Sequence, residues 1–282
     1  MSNDYNYDYF NITFPAQYVA QVEINRPEKL NAFIEIMWLN LSKIFSRLST
    51  DPNVRAIVLT AAGDRAFTAG LDVKAASQGT LSAPTSGAID AARKATALRA
   101  HILEFQACLT TLEKCSKPII AILHGISFGL AIDMSLCCDV RIATSDVKFS
   151  VKEVDIGLAA DVGTLSRLPK AVGNFSWVKE VALSARIFGA EEAIRVGFVS
   201  RVIPAGKAAA VEEGLKLAKL IASKSPVAVQ GTKELLNYSR DRPVEDGLRY
   251  TAVWNSAMLQ TKDVADAILS GLEKRVPRFE KL

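Results

Sequence analysis

The stretch KPIIAILHGISFGLAIDMSLCCDVRIAT, residues 117–144, decides the fold class of this chain. A proline and a run of apolar residues predict a buried strand over 117–125. Small residues then lead into a predicted helix that begins near Gly129, and VRIAT predicts another strand. A strand, a helix and a second strand in succession indicate an α/β fold.

The same alternation continues outward from this stretch. Further strands are predicted at 17–27, at 54–63 and in VKFSV, with helices over 31–51 and 90–115. The segment 77–90, rich in Ser, Gly, Thr and Ala, predicts a mobile loop. After Pro204 the strands cease, and helices are predicted over 207–224, 226–239, 243–258 and 261–273. We therefore expect an α/β core over 1–204 and a helical C-terminal region over 205–282.

The composition is that of an ordinary soluble globular protein, with 49% hydrophobic and 23% charged residues among 282. The net charge of +4 is modest and its basic residues are scattered, so we expect no nucleic-acid partner. No apolar stretch is long and clean enough to predict a membrane span. Four cysteines without CxxC spacing and two histidines predict no metal site. The adjacent Cys137 and Cys138 indicate buried free thiols in a reducing compartment.

The ends of the chain bear on its location. The start, MSNDYNYDYFNITF, is acidic and polar, which is typical of neither a secretory signal nor an Arg-rich transit peptide. The chain ends in RFEKL, whose last two residues match the peroxisomal Ser-Lys-Leu signal.

Two segments could present free backbone N–H groups. In AFTAGLDV, residues 66–73, small residues permit a close backbone approach, and Gly70 and Leu71 would expose N–H groups if they open a helical turn. In the second segment, the N–H of Leu130 would lie at the positive end of the helix that follows Gly129. The alternative for the first segment is a plain strand-to-helix turn.

Acidic residues in apolar surroundings are a second indication of a functional site, beside the free backbone N–H groups. Asp133 lies one turn inside the predicted helix; it either serves a site or complements the helix dipole in water. In EVDIGLAAD, residues 153–161, Glu153 and Asp161 would flank a turn near Gly157. Two carboxyl groups across a cavity suit proton transfer at two separated carbons, whereas the alternative is surface charge. Asp155, out of phase with Glu153, is assigned a structural role.

Five segments in this order resemble the crotonase superfamily, the enoyl-CoA hydratases and isomerases: NRPEKLNAF, FTAGLD, KPIIAILHG, CCDVRIAT and FSVKEVDIGLAADVGTLSRLPKAVG. The resemblance covers about residues 17–203. It implies a crotonase-type spiral of strand–strand–helix repeats, with a C-terminal helical region at subunit contacts. It also implies a homotrimer or homohexamer and a fatty acyl thioester of coenzyme A as the substrate.

Within the superfamily the chain is most similar to the delta-3,5-delta-2,4-dienoyl-CoA isomerases of unsaturated fatty acid β-oxidation, because Asp133, Glu153 and Asp161 match their three acids. Hydratases of the superfamily carry glutamate and glycine at the first and third of these positions. The resemblance implies that the backbone N–H groups of Leu71 and Leu130 bind the thioester oxygen. Glu153 would exchange the proton at carbon 2 and Asp161 the proton at carbon 6, with no metal or redox cofactor.

The remaining implied contacts bind the substrate, with Lys29 and Leu30 on the nucleotide side of coenzyme A and the backbone of Ala69 at the adenine. They involve Lys29, Leu30, Thr68, Ala69, Gly70 and Asp72. One departure concerns the three glycines that often precede the helix acid, which are here Gly129, Leu130 and Ala131. Leu130 must therefore avoid a positive φ if its N–H is to serve.

Two other functions stay open at this point. A 2-enoyl-CoA hydratase or 3-enoyl-CoA isomerase could use the same scaffold, although Asp161 has no role in hydration. A non-catalytic RNA-associated protein is disfavoured by the absence of a basic run. Fat breakdown predicts a peroxisome or mitochondrion, with the peroxisome slightly favoured, or the cytoplasm of a prokaryote.

Overall fold

The computed structural model describes residues 5–76 and 90–282, so the predicted mobile loop over 77–90 lies, except for Asp90, outside the described residues. Ten strands are β1 (Phe10–Ala16), β2 (Val19–Ile24), β3 (Ala56–Ala61), β4 (Ala66–Thr68), β5 (Ile119–Leu123), β6 (Ile126–Phe128), β7 (Val140–Thr144), β8 (Lys148–Ser150), β9 (Phe188–Gly189) and β10 (Arg201–Ile203). The helices are α1 (Glu35–Thr50), α2 (Val73–Ala76), α3 (Ala91–Lys114), α4 (Leu130–Leu136), α5 (Thr164–Ala171), α6 (Phe175–Ser184), α7 (Ala190–Arg195), α8 (Gly206–Ala222), α9 (Pro226–Ser239), α10 (Val244–Met258) and α11 (Lys262–Leu272).

These strands form two sheets, and several pairs of consecutive strands are divided between them. The larger sheet has the order β1-β2-β3-β5-β7-β10, and the smaller has the order β4-β6-β8-β9. The pairs β3/β4, β5/β6 and β7/β8 each give one strand to each sheet, and a helix follows each pair. The strands contributed by these pairs run parallel within each sheet. The predicted α/β spiral of strand–strand–helix repeats is therefore confirmed.

Two apolar clusters hold the layers together. The larger one buries the inner faces of both sheets against α1, α3 and α4. The smaller one joins the opposite face of the six-stranded sheet to α8. A Cβ on Gly214 would lie 2.6 Å from Ile122 Cδ1, so glycine allows α8 to pack this closely. Helix α8 thus covers the core sheet, although it belongs to the predicted C-terminal helical region.

The structure adds elements that the sequence patterns did not predict. Strand β1 forms an antiparallel hairpin with β2, and β4, β6 and β9 have only two or three residues each. Such short strands show no clear alternation of polar and apolar residues. Helix α5 contains Pro169 and continues to Ala171. All four cysteines are buried free thiols, which confirms the prediction for Cys137 and Cys138. Within the described ranges, no helix is long and apolar enough to cross a membrane.

Candidate active site

A cavity of about 490 Å³ lies between α3, the start of α1 and the N-terminal end of α4. Eight of the predicted site residues line it: Ala69, Gly70, Leu71, Asp72, Leu130, Asp133, Glu153 and Asp161. Gly129 lines it as well. Apolar side chains form much of the remaining wall, among them Phe33, Trp38, Leu98, Ile102, Phe105, Leu158 and Val162. The tertiary structure therefore brings together segments that are about 90 residues apart in the chain.

The N–H of Leu71 is left free by a β-bridge rather than by a helix. Leu71 forms a parallel bridge with Phe33, whose N–H donates to Gly70 O at 2.8 Å. The N–H of Asp72 donates to Phe33 O at 2.9 Å, so the N–H of Leu71 points away from this partner. Helix α2 begins only at Val73, so Gly70 and Leu71 do not open a helical turn, and the segment is the strand-to-helix turn that was the alternative. Within the described residues, the N–H of Leu71 nevertheless has no hydrogen-bond acceptor.

The turn that carries Leu71 is fixed from inside by Thr68. The Thr68 hydroxyl donates to Asn31 O at 2.7 Å and accepts from the N–H of Gly70 at 3.1 Å. Thr68 is fully buried and does not line the cavity, so its side chain shapes the turn. Gly70 has φ 98°, and a Cβ there would lie 3.8 Å from Leu130 N. The two donor segments are therefore neighbours.

Leu130 is the first residue of α4, and its N–H has no carbonyl partner within the helix. The unusual backbone conformation falls on Gly129, with φ 51° and ψ −111°, and Leu130 is not among the residues with positive φ. A Cβ on Gly129 would lie 3.2 Å from Glu153 Oε1. Glycine at 129 thus leaves room for the Glu153 carboxyl group beside this turn, and Leu130 itself needs no positive φ.

Asp133 is the most deeply buried of the three acids. Its Oδ1 accepts hydrogen bonds from the backbone N–H of Thr164 at 2.6 Å and from the Thr164 hydroxyl at 2.7 Å. Burial raises the pKa of Asp133 to about 6, although the Thr164 bonds and the charge of Arg167 act to lower it. Asp133 therefore holds its charge less readily than a surface aspartate does.

Glu153 begins a 3-10 turn, Glu153–Ile156, that ends at Gly157. Its Oε2 is buried without a hydrogen-bond partner among the described residues. Burial raises the pKa of Glu153 to about 7, and the charges of Asp133 and Asp161 raise it further in the same direction. A carboxyl group that titrates near neutral pH is suited to take up and release a proton.

Asp161 lies at the rim of the cavity, which it lines although it is an exposed residue. Its backbone carbonyl accepts a hydrogen bond of 2.5 Å from Gln106 Nε2 on α3. Within the described part of the chain, no Lys or Arg forms an ion pair with Asp133, Glu153 or Asp161. Asp155, in contrast, is exposed and pairs with Lys152 at 2.7 Å.

The sequence profile of the enoyl-CoA hydratase/isomerase family matches residues 15–281. The chain belongs to this family. A Rattus norvegicus protein named mitochondrial Delta(3,5)-Delta(2,4)-dienoyl-CoA isomerase is 44% identical over 97% of this chain and 82% of its own length. A peroxisomal protein of the same name from Arabidopsis thaliana is 42% identical over 94% of this chain and 93% of its own. The crystal structure of a Bacillus anthracis enoyl-CoA hydratase has a TM-score of 0.86 at 25% identity, covering 97% of this chain and 99% of its own.

Of the substrate contacts that the family resemblance implied, Ala69, Gly70 and Asp72 line the cavity, whereas Lys29, Leu30 and Thr68 do not. Lys29 is exposed at the end of the 3-10 turn Pro27–Lys29, and Leu30 follows it with φ 51°. The carbonyl of Leu30 accepts the N–H of Ala69 at 3.0 Å, which ties this turn to the cavity mouth. Neither Lys29 nor Leu30 lines the cavity itself.

Asp72 also lines the cavity, but unlike Asp133, Glu153 and Asp161 it forms an ion pair. It forms an ion pair with Arg26 at 2.9 Å and accepts the N–H of Ala75 at 3.1 Å. The bond from Ala75 and the pairing with Arg26 lower the pKa of Asp72. A carboxylate held in this way is suited to stabilise the loop rather than to transfer protons.

Sequence reasoning missed several residues that surround the acids. Thr164 binds Asp133, Gln106 binds the Asp161 backbone, and Trp38 and His101 contribute aromatic rings to the wall. The ring centroids of Trp38 and Phe105 lie 4.2 Å apart in a stacked arrangement. Helical spacing along α3 could have indicated an apolar face, but not that this face borders the acids. The contact of Thr164 with Asp133 spans 31 residues and has no local sequence signal.

Proposed function

We propose that this protein isomerises 3,5-dienoyl-CoA thioesters to 2,4-dienoyl-CoA thioesters in the β-oxidation of unsaturated fatty acids. The observation that carries the proposal is the grouping of Asp133, Glu153 and Asp161 around one cavity that also borders the N–H groups of Leu71 and Leu130. The relatives named as dienoyl-CoA isomerases, at 42% and 44% identity, support this choice within the family.

The first step of the proposed reaction needs a site for negative charge. The N–H groups of Leu71 and Leu130 would donate to the thioester oxygen, which becomes negatively charged when carbon 2 loses a proton. Loss of one such donor typically costs about 3 kcal/mol of transition-state stabilisation. Gly70 and Gly129 permit the close approach of the two donor segments.

Two carboxyl groups would then move the protons. Glu153, beside Leu130, takes the proton from carbon 2, and the electron pair of that bond forms the C2=C3 double bond. The charge passes along the conjugated chain as the C4=C5 bond forms, and carbon 6 accepts a proton from the Asp161 carboxyl group. Atoms and charge balance without a metal or redox cofactor, and coenzyme A enters as part of the substrate.

The cavity wall supports an apolar acyl chain. Trp38, Ile102 and Phe105 from α1 and α3 lie on the same cavity as the acids. Burial of each additional methylene group contributes about 0.8 kcal/mol to binding. We therefore propose a fatty acyl thioester, rather than a charged metabolite, as the ligand of this cavity.

An absorbance assay tests the proposed activity. The purified protein is mixed with a 3,5-dienoyl-CoA, and the conjugated 2,4-dienoyl thioester is followed in the ultraviolet. Hydration of crotonyl-CoA is measured in parallel. Fast diene isomerisation with slow hydration supports the proposal, whereas robust hydration without isomerisation contradicts it and favours a 2-enoyl-CoA hydratase.

Self-association is part of the proposal. Helices α9–α11 expose large apolar side chains, including Leu236, Val244, Leu248, Val253, Leu259, Ile268 and Leu272. Soluble proteins seldom leave so many apolar side chains on one region in contact with water. A homotrimer or homohexamer would cover them, and light scattering on the purified protein tests this. We propose no nucleic-acid partner.

We place the protein in the peroxisome or mitochondrion, and slightly favour the peroxisome; a prokaryotic source would place it in the cytoplasm. The two relatives described above are named mitochondrial and peroxisomal. Fluorescence microscopy of an N-terminally tagged protein, with and without its last three residues, tests this location.

A further inference from the structure

Thr164 makes an unusual pair of bonds with Asp133. It is the first residue of α5 and is fully buried. Its backbone N–H and its hydroxyl group donate to the same oxygen, Oδ1, at 2.6 and 2.7 Å. The described residues provide no hydrogen bond to the other oxygen, Oδ2, of this cavity-lining aspartate. The contact therefore fixes both the position and the rotation of the carboxyl group.

Glu153 has no comparable support. Its Oε2 is buried without a partner in the described chain, and its Oε1 lies against Gly129. A hydrogen bond to a carboxylate stabilises the charged form, so two donors on one acid and an unpartnered oxygen on the other make the two unequal. Of these two buried acids, Asp133 is the one whose charged form receives hydrogen bonds from the fold.

We propose that Thr164 is a positioning residue of the isomerase. Its hydroxyl group holds Asp133 charged and oriented beside Glu153, and this charge makes Glu153 a stronger base. The inference rests on the proposed function, because it assigns Glu153 the removal of a proton from substrate. Thr164 itself acts only through Asp133.

The other charges around Asp133 do not replace this contact. The groups that face it are Glu153 and Asp161 across the cavity, Arg167 on α5 and Cys137 on its own helix, with Glu113 and Arg240 behind Arg167. Arg167 is the cation among the groups that act on Asp133 directly, and it pairs with Glu113 at 2.9 Å. Within the described residues, Thr164 therefore donates both of the hydrogen bonds that favour the ionised form of Asp133.

The kinetic experiment compares Thr164→Val, which removes the hydroxyl group at nearly constant volume, with Thr164→Ser, which keeps it. We expect the valine variant to lower the plateau kcat for a 3,5-dienoyl-CoA about tenfold. Its acidic pH limb should move to lower pH by about half a pH unit, because Glu153 ionises more easily beside a neutral Asp133. KM should stay within about twofold, and serine should restore both the rate and the limb.

Matched controls separate this role from a packing effect. Thr60 is a buried threonine whose hydroxyl has no partner among the described residues, so Thr60→Val should leave the pH limb unchanged. In an Asp133→Asn background, Thr164→Val should produce no further movement of the limb. If the valine variant does not fold, the same comparison is made between Thr164→Ala and Thr164→Ser.

A measurement without substrate distinguishes the two proposals. In protein labelled with ¹³C at its aspartate carboxyl groups, the titration midpoint of Asp133 should rise by about one pH unit in Thr164→Val. An unchanged midpoint, an unchanged limb, a limb moved to higher pH or a serine variant that fails to recover would overturn the role of Thr164. A wild-type protein that does not isomerise dienes overturns the proposed function, and the carboxyl titration then decides on Thr164 alone.

Discussion

Two groups of acids lie close together in this molecule, and they differ in whether basic side chains form ion pairs with them. In the cavity, Asp133, Glu153 and Asp161 form no ion pair with a cation of the described chain. In a second cluster beside α5, every acid has a basic partner. Its members are Glu113, Arg167, Lys170, Arg240 and Asp241.

The clearest contrast is between two glutamates. Burial acts to raise the pKa of both, but the bonds from Arg167 and Arg240 outweigh it at Glu113 and lower its pKa. At Glu153 no such bond exists, and the pKa rises to about 7. Compensation by a cation keeps an acid permanently charged and stabilises the packing of α3 on α5. A buried acid without a cation partner destabilises the folded state, but its carboxyl group can exchange a proton near neutral pH.

The largest expected effect comes from exchanging the two glutamates separately for glutamine. Glu153→Gln should lower kcat for a 3,5-dienoyl-CoA by at least about 10³-fold, because an amide cannot accept the proton from carbon 2. Glu113→Gln changes the same atoms in the paired cluster and should retain activity within about fivefold. Steady-state kinetics of both variants measure this. A Glu153→Gln enzyme with a rate close to wild type would remove the distinction between the clusters.

Asp161 tests the second proton transfer. Asp161→Asn should reduce isomerisation by at least about 10²-fold, because carbon 6 loses its proton donor. Binding of an acyl-CoA and exchange of the carbon 2 proton with D₂O should persist, since Glu153 and the two N–H donors are intact. Asp155→Asn, which alters an exposed acid paired with Lys152, is the control. Isomerisation at more than half the wild-type rate in Asp161→Asn would contradict the assignment.

The pH dependence gives a smaller, graded effect. Because Glu153 must be ionised to act as a base and its pKa is about 7, kcat/KM should fall about tenfold per pH unit well below pH 7. The coupled titration of Asp133, with a pKa of about 6, should broaden this limb. Rates measured from pH 5 to 9 in buffers of constant ionic strength provide the profile. A flat profile down to pH 5 would show that no cavity acid of raised pKa limits the reaction.

Stability should show the smallest effect, with opposite signs in the two clusters. Folded Glu153 binds more protons than unfolded Glu153 between the usual pKa and about 7, so its contribution to the free energy of unfolding falls as pH rises through this window. Glu153→Gln should therefore stabilise the protein at pH 8 by about 1–2 kcal/mol, and hardly at all at pH 4.

Glu113→Gln is the matched comparison for this measurement. The pKa of Glu113 is lowered, so its contribution is present above its usual pKa and is lost as pH falls through the folded value. We expect Glu113→Gln to destabilise the protein at pH 8 by about 1–3 kcal/mol, because Arg167 and Arg240 lose their partner. Urea unfolding of both variants at two pH values measures the signs. Equal signs at pH 8 would contradict the comparison.

Much of the fold could be predicted from the chain because its longer elements carry clear periodic patterns. The apolar run before Gly125 and the helical spacing in α1 are local signals, and both correspond to elements of the structure. Strands β4, β6 and β9 were not predicted, because two or three residues are too few to show a period. Their pairing depends on neighbouring strands that are distant in sequence.

The site, like the fold, was predicted where the signal is local and was not predicted where contacts are distant in sequence. The order of motifs determined the family, and the identities of Asp133, Glu153 and Asp161 indicated an isomerase rather than a hydratase. The N–H of Leu71 was expected from a helix start but is freed by a bridge to Phe33, a residue 38 positions earlier in the chain. Likewise, no local pattern shows that Thr164 binds Asp133 or that a cation faces Glu113 but not Glu153.

By itself, then, the sequence determined the α/β spiral, the family and the types of chemical group available to the reaction. These properties follow from local periodicity and residue identity, which the chain carries whether or not it is folded. Only the tertiary structure decided which acids pair with a cation and which have no such partner and can exchange protons. That choice depends on burial and on distances of a few ångströms between segments far apart in sequence, and both arise only when the elements pack together.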